Sequence, residues 1–392
     1  MQSIDYFKDT EAFQIIVQTN LSCNIRCKHC YEADGNYPTQ IMSFSVLEKI
    51  ISLAQKQYKK ISYLWFGGEP LIAGIDFYKK VIELQEKYNS ENEIKNSIQT
   101  NGILLNKDFI EFFKSNNFKV SISYDAQYNN VLREKTESVE KNIKLCKENE
   151  LPIATLSTIS KDISSKQKEM YDFLREQKLS AKFNRIFPEG NGKANQEYLI
   201  NDEKYLEDMK KFFILWLYDN KAGAFSTFDI YLSALFGLKH RECIFSGCLF
   251  KWLAVAPDGT VFPCPRFGNS GYSLGNIKDI ENIYDVFYSE KYAELLSKNV
   301  KRRKNCKENC KWYPFCNGGC NARCFWNNDV ENENTEICRF VKEFYPFVVR
   351  EIKEIFDNDN VGKINFYMQE LIEKYREHFM ATIKYCQENK LI

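Results

Sequence analysis

Three cysteines stand within eight residues near the start of the chain, in the segment Cys23-Asn24-Ile25-Arg26-Cys27-Lys28-His29-Cys30. Spacings of three and two intervening residues let one loop wrap three thiolates around a single small metal centre. A four-iron cluster held by only three cysteines keeps one iron open to a cofactor or substrate, whereas electron-transfer clusters are normally closed by four. A structural zinc site with His29 as the fourth ligand is the alternative interpretation of these spacings.

The composition limits the classes of partner. The 392 residues are enough for about two domains. With 54 basic and 53 acidic residues, the charge is balanced and nothing indicates a nucleic-acid partner. No apolar run approaches the roughly 20 residues of a membrane helix, and the polar start at Met1 to Glu11 is not a signal peptide. We therefore expect a soluble, cytoplasmic protein whose 14 cysteines are metal ligands more than disulfides.

The first half of the chain alternates between strand and helix patterns. β-branched apolar runs predict strands at 13–19, 61–66, 94–100, 118–124, 153–160 and 181–187. Between them, apolar stripes predict a helix after a capping box at Ser45 and Glu48, and further helices at 75–88, 107–116, 137–149 and 165–177. Six such units predict an α/β fold whose parallel strands close fully or partly into a barrel.

Polar or glycine-rich segments follow four of the predicted strands. They are the cysteine loop, Gly67-Gly68-Glu69-Pro70, Thr100-Asn101-Gly102 and Ser123-Tyr124-Asp125. In a β/α barrel the carboxyl ends of the strands form the active face, so we expect the four segments to converge there. Two adjacent glycines allow a backbone to approach a ligand closely, although an ordinary strand-to-helix turn would use the same residues.

The C-x3-C-x2-C loop after the first strand and GGEP after the second resemble the signature of radical S-adenosylmethionine enzymes. The resemblance covers about residues 11 to 190 and outweighs the zinc interpretation. It implies a partial six-unit barrel and a [4Fe-4S] cluster on Cys23, Cys27 and Cys30. It also implies that the open iron binds S-adenosylmethionine, which is cleaved reductively to a 5′-deoxyadenosyl radical that abstracts hydrogen from substrate.

The same resemblance assigns the cofactor-binding residues. Gly68 and Glu69 would hold the methionine amino group, and Ser123 and Arg133 match positions that touch the ribose and the carboxylate. His29 stands at a usually aromatic position against the adenosyl group, where the alternative is a solvated loop histidine. The glycine-rich stretch that often follows the position of Arg133 is absent from this sequence.

The second half begins where Pro188-Glu189-Gly190-Asn191-Gly192 interrupts the alternation. We therefore expect a barrel over 1–190 and a helical bridge over 191–242, with helices at Asp202 to Asn220 and Thr227 to Lys239. The later cysteines resemble a SPASM domain, which we place at 243–338. In relatives this domain carries two auxiliary four-iron clusters, and two zinc knuckles are the alternative. Residues 339–392 predict two amphipathic helices split near Asp357.

The resemblance also implies how the auxiliary ligands divide. The first cluster would take Cys243, Cys248, Cys264 and Cys320, and the second Cys306, Cys310, Cys316 and Cys338. Cys306 and Cys310 are separated by three residues where relatives usually have two. Cys324 remains outside both sets, while Cys146 and Cys386 lie on predicted helices and are expected to be buried as small hydrophobes.

Radical enzymes with SPASM domains mostly modify peptides or proteins. In relatives that mature sulfatases we expect an acidic residue directly after the third cysteine of the first auxiliary set, but here Pro265 and Arg266 follow Cys264. This favours a peptide maturase that forms thioether or carbon-carbon crosslinks, with sulfatase maturation as the alternative. Arg266 and Arg185 are possible anchors for the substrate, or simply salt-bridge partners. An iron-sulfur electron carrier is the alternative of another class, and GGEP argues against it.

Two expectations concern partners. Lys301-Arg302-Arg303-Lys304 could dock an acidic reductant such as a flavodoxin or ferredoxin, or could be a solvated basic turn. The 22 residues before Cys23 are too few for a winged-helix domain that binds a leader peptide. Any leader would then be recognised elsewhere or by a partner protein.

Overall fold

The structure is a computed structural model that describes residues 12–33, 39–223, 225–238, 243–326 and 336–392. The polar start at Met1 to Glu11 and the predicted helix end at Lys239 lie outside these residues. The strands are β1 Ala12–Gln18, β2 Lys60–Phe66, β3 Glu93–Thr100, β4 Lys119–Ser123, β5 Ile153–Ile159, β6 Ala181–Arg185, β7 Trp252–Val255 and β8 Val261–Phe262.

Ten helices lie in the described part of the first 246 residues. They are α1 Phe44–Gln57, α2 Ile75–Lys87, α3 Lys107–Ser115, α4 Asn129–Leu132, α5 Thr136–Glu148, α6 Gln167–Glu176, α7 Asn191–Ala194, α8 Asp202–Leu217, α9 Ser226–Leu235 and the short turn α10 Cys243–Ser246. The later helices are α11 Ile283–Phe287, α12 Glu290–Asn309, α13 Tyr313–Cys316, α14 Asn321–Trp326, α15 Glu336–Asp357 and α16 Phe366–Glu388.

The strands follow the order β6-β5-β4-β3-β2-β1-β7-β8. The pairs β1 with β2, β2 with β3, β3 with β4, β4 with β5 and β1 with β7 are parallel, whereas β7 and β8 are antiparallel. The predicted α/β fold with strand-helix alternation is confirmed, and each of the six predicted strands ends within two residues of its predicted end.

The register of the first strands brings their carboxyl ends to one level. Gln18 at the end of β1 lies opposite Phe66 at the end of β2, and Trp65 lies opposite Ile98 of β3. The chain therefore leaves β1 and β2 at the same edge of the sheet, which we call the rim, and both the cysteine loop and the GGEP turn start there.

One local expectation was wrong. The N-cap of α1 is Ser43, whose hydroxyl accepts a hydrogen bond from the Val46 N–H at 3.3 Å. The predicted cap Ser45 lies in the first turn, and the predicted partner Glu48 accepts hydrogen bonds from Lys87 and Tyr88 instead. A serine two residues earlier satisfies the free N–H groups equally well, because capping depends on where the backbone enters the helix.

The described residues form two compact units. The first contains the described residues within Met1–Leu156, Phe187–Glu197 and Leu249–Leu296. The second contains those within Ser157–Ile186, Tyr198–Cys248 and Ser297–Ile392. In the first, Val17 and Trp65 of the sheet and Leu47 of α1 are completely buried.

The second unit has an aromatic core of its own. Phe213 of α8 packs against Phe228 of α9 and Phe344 of α15, with ring centroids 5.4 and 6.0 Å away. The predicted aromatic stripes of the bridge are thus core, and Cys146 and Cys386 are buried on helices as expected. None of the described helices is long and apolar enough to span a membrane.

Candidate active site

The cysteine loop is held by a segment far along the chain. Asn191 donates from its backbone N–H to the Cys30 carbonyl at 2.9 Å and from Nδ2 to the Cys27 carbonyl at 3.0 Å. Asn195 Nδ2 donates to the Lys28 carbonyl at 3.0 Å. Gly190 has a φ of +52°, and a Cβ there would lie 2.5 Å from the Cys30 oxygen. We call Gly190 to Asn195 the clasp; the sequence marked its start only as the end of the barrel.

The three thiols of this loop are desolvated and close to one another. Burial raises the pKa of Cys27 to about 11 and that of Cys30 to about 12, and each group is raised further by a neighbouring cysteine. Burial also raises the pKa of Cys23. Such thiols fit a metal cluster. Iron replaces the proton, and its positive charge stabilises the thiolate form that burial alone disfavours.

His29 is half-buried on the same loop, with its Nδ1 atom out of contact with solvent, and is not a solvated histidine. Burial, followed by the charge of nearby Arg133, lowers its pKa well below the usual value, so the ring is neutral. Among the described residues, no three His, Cys, Asp or Glu side chains are grouped tightly enough to share one metal ion.

Glu69 of the GGEP turn is completely buried, and its carboxylate binds the chain itself. Oε1 accepts from the Leu71 N–H at 3.0 Å and from the Thr100 hydroxyl at 2.7 Å. Oε2 accepts from the Asn101 N–H at 2.7 Å. Burial raises the pKa of Glu69 to about 7, against the lowering effect of these hydrogen bonds. The side chain therefore joins the ends of β2 and β3 at the rim.

The two glycines of this turn allow a close approach to the chain's own backbone. A Cβ at Gly67 would lie 2.1 Å from the Asn20 oxygen, and one at Gly68 would lie 2.1 Å from the Ser22 oxygen. The Gly68 N–H donates to Asn20 at 3.0 Å, and the Glu69 N–H donates to Ser22 at 2.8 Å. The turn thus packs directly onto the entry of the cysteine loop.

Asn101 links this turn to the thiols. Its Nδ2 donates to Asn24 Oδ1 at 2.7 Å and lies 3.7 Å from Cys23 Sγ. The sequence placed Asn101 on the active face as part of Thr100-Asn101-Gly102 at the end of β3, but it indicated no role for the Asn101 side chain.

Arg133 and Asp125 form a buried ion pair beside the cysteine loop. Arg133 Nε lies 2.8 Å from Asp125 Oδ2, and the Asp125 side chain is fully buried. A hydrogen bond and the charge of Arg133 lower the pKa of Cys27, against the larger effect of burial. Ser123 is half-buried at the end of β4. The structure therefore brings the segments that follow β1 and β4 together, as their positions on the rim predicted.

A second cluster of charged side chains, formed by Arg266, Glu189 and Glu32, also lies in the first unit. Arg266, two residues after Cys264, pairs with Glu189, and its guanidinium stacks 4.1 Å above the Phe187 ring. Glu32, two residues after Cys30, accepts from Gln18 Nε2 at 2.8 Å. Burial raises the pKa of Glu32 to about 8, and the carboxylate interacts electrostatically with both Glu189 and Arg266. Sequence reasoning missed Glu32 and Glu189.

Arg185 belongs to the other unit. It pairs with Asp202 at the start of α8, donates to the Ile200 carbonyl at 2.9 Å and stacks 5.4 Å from the Tyr205 ring. These contacts match the salt-bridge alternative that the sequence left open.

Of the later cysteines, all but Cys264 lie in the second unit. The pKa of Cys316 is raised to about 12 by burial and then by Cys310, Cys338 and Cys306. The pKa of Cys248 is raised to about 11 by burial and then by Cys320. Cys243 opens α10 in the same unit. Cys264 belongs to the first unit, where it directly precedes a short 3-10 turn.

The docking hypothesis assumed that all four cations of the basic segment on α12 are exposed. The structure shows that they are not. Arg302 is only 2% exposed, and it donates to Cys324 Sγ at 2.6 Å and to Asn321 Oδ1 at 2.7 Å. Arg303 is half-buried, whereas Lys301 and Lys304 are exposed. A helix turns successive residues by about 100°, so four consecutive side chains cannot share one face.

Comparison with known proteins agrees with this architecture. Residues 17–174 match the model of the Radical SAM superfamily, and residues 243–312 match the SPASM model, described as an iron-sulfur cluster-binding domain. The chain is therefore a radical SAM enzyme with a SPASM domain. These domains define its cofactors as S-adenosylmethionine and iron-sulfur clusters, and they replace the zinc alternatives.

Three similar proteins illustrate the relationship. The cysteine-type anaerobic sulfatase-maturating enzyme of Clostridium novyi (strain NT) is 28% identical, over 93% of this chain and 98% of its own. The radical SAM cyclopropyl synthase TigE of Paramaledivibacter caminithermalis is 25% identical, over 81% of this chain and 69% of its own. The solved structure of native anSMEcpe with bound AdoMet has a TM-score of 0.76 and 26% identity, and covers 88% of this chain and 99% of that one.

Proposed function

We propose that this enzyme is a peptide maturase that abstracts hydrogen from a ribosomally made peptide and forms a thioether or carbon-carbon crosslink. When bound, the barrel cluster and S-adenosylmethionine supply the 5′-deoxyadenosyl radical. In the crosslinking reaction the substrate loses two hydrogens. One leaves as a hydrogen atom to the radical, and the other leaves as a proton while its electron passes to an iron-sulfur cluster.

The observation that carries this proposal is the sequence after Cys264. Pro265 has no proton-accepting side chain, and Arg266 is engaged by Glu189. A crosslinking enzyme needs no base at this place if a substrate side chain itself attacks the oxidised carbon. A peptide substrate is further supported by anSMEcpe, which has also been solved with bound AdoMet and the Kp18Cys peptide, with a TM-score of 0.76 to this chain.

Within this proposal the rim residues have defined tasks. Cys23, Cys27 and Cys30 would bind the catalytic cluster, and Gly68 with Glu69 would place the methionine amino group. Ser123, Arg133 and His29 would face the rest of the cofactor. Because the pKa of half-buried His29 is lowered and the ring is neutral, it would act as an aromatic surface and not as a charge. Arg266, held by Glu189 and Phe187, would anchor the peptide backbone with its guanidinium.

The auxiliary ligands remain as the resemblance divides them, which gives three [4Fe-4S] clusters in all. The proximity of Cys316 to Cys306, Cys310 and Cys338, and of Cys248 to Cys320, supports this division. With four thiolates each, both auxiliary clusters would be closed, which suits electron transfer. A small acidic protein such as a flavodoxin or ferredoxin would then supply the electrons.

The test is to search the neighbouring open reading frames for a short cysteine-rich peptide and to react that peptide with anaerobic, reconstituted enzyme. Mass spectrometry should show loss of two hydrogens with sulfur retained, and fragmentation should show that two residues are joined. One 5′-deoxyadenosine should form for each crosslink. An electron carrier would form no 5′-deoxyadenosine under any condition.

Sulfatase maturation is the second candidate, because the Clostridium novyi relative matches nearly its whole length. That activity would convert a cysteine to formylglycine, which removes sulfur from the peptide. A synthetic peptide with a sulfatase cysteine motif discriminates the two. Loss of sulfur and gain of an aldehyde, with no change in the neighbouring-gene peptide, would replace the crosslinking proposal with this one.

A further inference from the structure

A buried hydrogen-bond network lies within the second unit, between cysteines of the two auxiliary sets. Its centre is Arg302, which donates through Nη1 to the Gly318 carbonyl and to Cys324 Sγ, and through Nη2 to Asn321 Oδ1 at 2.7 Å. Asn321 in turn donates from Nδ2 to Cys248 Sγ at 3.3 Å. A guanidinium that is 2% exposed needs hydrogen-bond acceptors, and the carbonyl, sulfur and amide oxygen atoms named here provide them.

Arg302 determines which way the Asn321 amide points. A guanidinium can only donate, so the atom that faces Nη2 must be the amide oxygen. Asn299 Nδ2 donates to the same oxygen. With Oδ1 occupied by two donors, the amide NH2 is directed at Cys248 Sγ. A flipped amide would place its NH2 group against the guanidinium, so two donors would face each other. It would also place its oxygen against the Cys248 sulfur, so two acceptors would face each other.

We propose that Asn321 is an N–H donor to the sulfur of Cys248 that raises the reduction potential of the auxiliary cluster on this cysteine, and that Arg302 is the residue that positions it. This inference rests on the proposed role of Cys248 as a cluster ligand. Hydrogen bonds to cluster sulfurs and nearby positive charge both stabilise the reduced cluster, which carries one more negative charge. Burial strengthens both effects, since water does not screen them.

The network also gives Cys324 a role other than cluster binding. Its thiol is 1% exposed and accepts from Arg302, and it lies near Cys320, Cys338 and Cys306. Arg302 therefore lies close to cysteines of both auxiliary sets, and its side chain is linked to Cys248 through Asn321. Cys324 Sγ is thus one of the acceptors of the Arg302 guanidinium, together with the Gly318 carbonyl and Asn321 Oδ1.

The test is a redox titration of the anaerobic, fully reconstituted holoenzyme, followed by electron paramagnetic resonance. Asn321→Ala removes the donor and should lower the midpoint potential of one auxiliary cluster, with the barrel cluster and the other auxiliary cluster unchanged. Arg302→Met should lower the potential of the same cluster. The double variant should shift it by less than the sum of the two single shifts, because Arg302 acts partly through Asn321.

Lys304→Met is the matched control, because it removes an exposed cation of the same helix and should leave all potentials unchanged. If a variant binds less iron, Asn321→Ser provides a milder change. In addition, the wild-type enzyme in D2O should show the exchangeable Asn321 amide deuteron coupled to one reduced auxiliary cluster, and Asn321→Ala should lose that signal. Unchanged potentials in iron-replete Asn321→Ala would overturn the inference. Failure of peptide crosslinking would not affect the outcome, since the potentials are measured without substrate.

Discussion

Glu69 Oε2 accepts the backbone N–H of Asn101 at 2.7 Å and so fastens the GGEP turn to the end of the third strand. With Oε1 bound by Leu71 and Thr100, the carboxylate is an acceptor for three donors from two neighbouring strand ends. A group expected to face the cofactor thus also shapes the surface on which the cofactor would rest. The two roles can be separated by experiment.

Glu69→Gln should reduce both stability and affinity for S-adenosylmethionine. The amide has one acceptor oxygen where the carboxylate has two, so the Asn101 N–H or the Leu71 N–H faces an NH2 group. We expect a loss of about 1–3 kcal/mol in the free energy of unfolding, the usual cost of an unsatisfied buried donor. Thermal unfolding and equilibrium dialysis measure the two effects.

The control for this variant is Glu134→Gln, which changes an exposed carboxylate that accepts from the Arg26 N–H near the same loop. It should alter neither quantity appreciably. A Glu69→Gln protein with normal stability but weakened binding would show that the carboxylate serves the cofactor alone.

Gly190→Ala should weaken the hold on the cysteine loop. The added Cβ would meet the carbonyl oxygens of Cys30 and Ala33 at 2.5 Å in a backbone with φ of +52°. Because these oxygens belong to the backbone, the loop itself must move. Iron bound to the barrel cluster should fall and the other clusters should persist, which iron analysis and Mössbauer spectroscopy can measure.

Gly223→Ala provides the comparison, since no atom lies within 4 Å of a Cβ placed there. Asn191→Ala, which removes one side-chain hydrogen bond to Cys27 but adds no bulk, should have a smaller effect in the same direction. Full occupancy of the barrel cluster in Gly190→Ala would mean that the clasp is not needed to shape the loop.

The sequence was sufficient for features that depend on near neighbours. Apolar periodicity located β1 to β6, and the rule that parallel strands end together placed the cysteine loop beside the GGEP turn. The contacts from Gly190 and Asn191 to a loop about 160 positions earlier could not be predicted from periodicity. No residue near Gly190 indicates which distant segment it will contact. Arg302 shows the same limit. Among four consecutive cations, composition predicts exposure, and only the packing of α12 shows which one is buried.

Cys324→Ala should leave the iron content at about twelve per chain, the number for three four-iron clusters, whereas Cys320→Ala should lower it. In the structure the thiol of Cys324 is occupied by Arg302, while Cys320 lies near Cys248. The alanine at 324 should cost some stability, because Arg302 loses an acceptor. Full iron in Cys320→Ala with a deficit in Cys324→Ala would exchange the two assignments.

Reversal of the exposed charges on α12 tests the docking of a reductant. Reversing all four basic residues would put a carboxylate at buried position 302 and damage the network around it. The surface field comes from Lys301 and Lys304, which are exposed and three residues apart. Lys301→Glu/Lys304→Glu should therefore slow reduction by flavodoxin by about tenfold at low ionic strength, the lower end of the range for electrostatic steering.

Two further observations decide the interpretation of that variant. The defect should shrink as salt is added, because exposed charges are screened over about 8–10 Å at physiological ionic strength, and reduction by dithionite should be normal. Lys342→Glu/Lys384→Glu changes the net charge equally on α15 and α16 and serves as the control. Equal slowing in the control would indicate a net-charge effect without a docking site, and equal slowing with dithionite would indicate damage to a cluster.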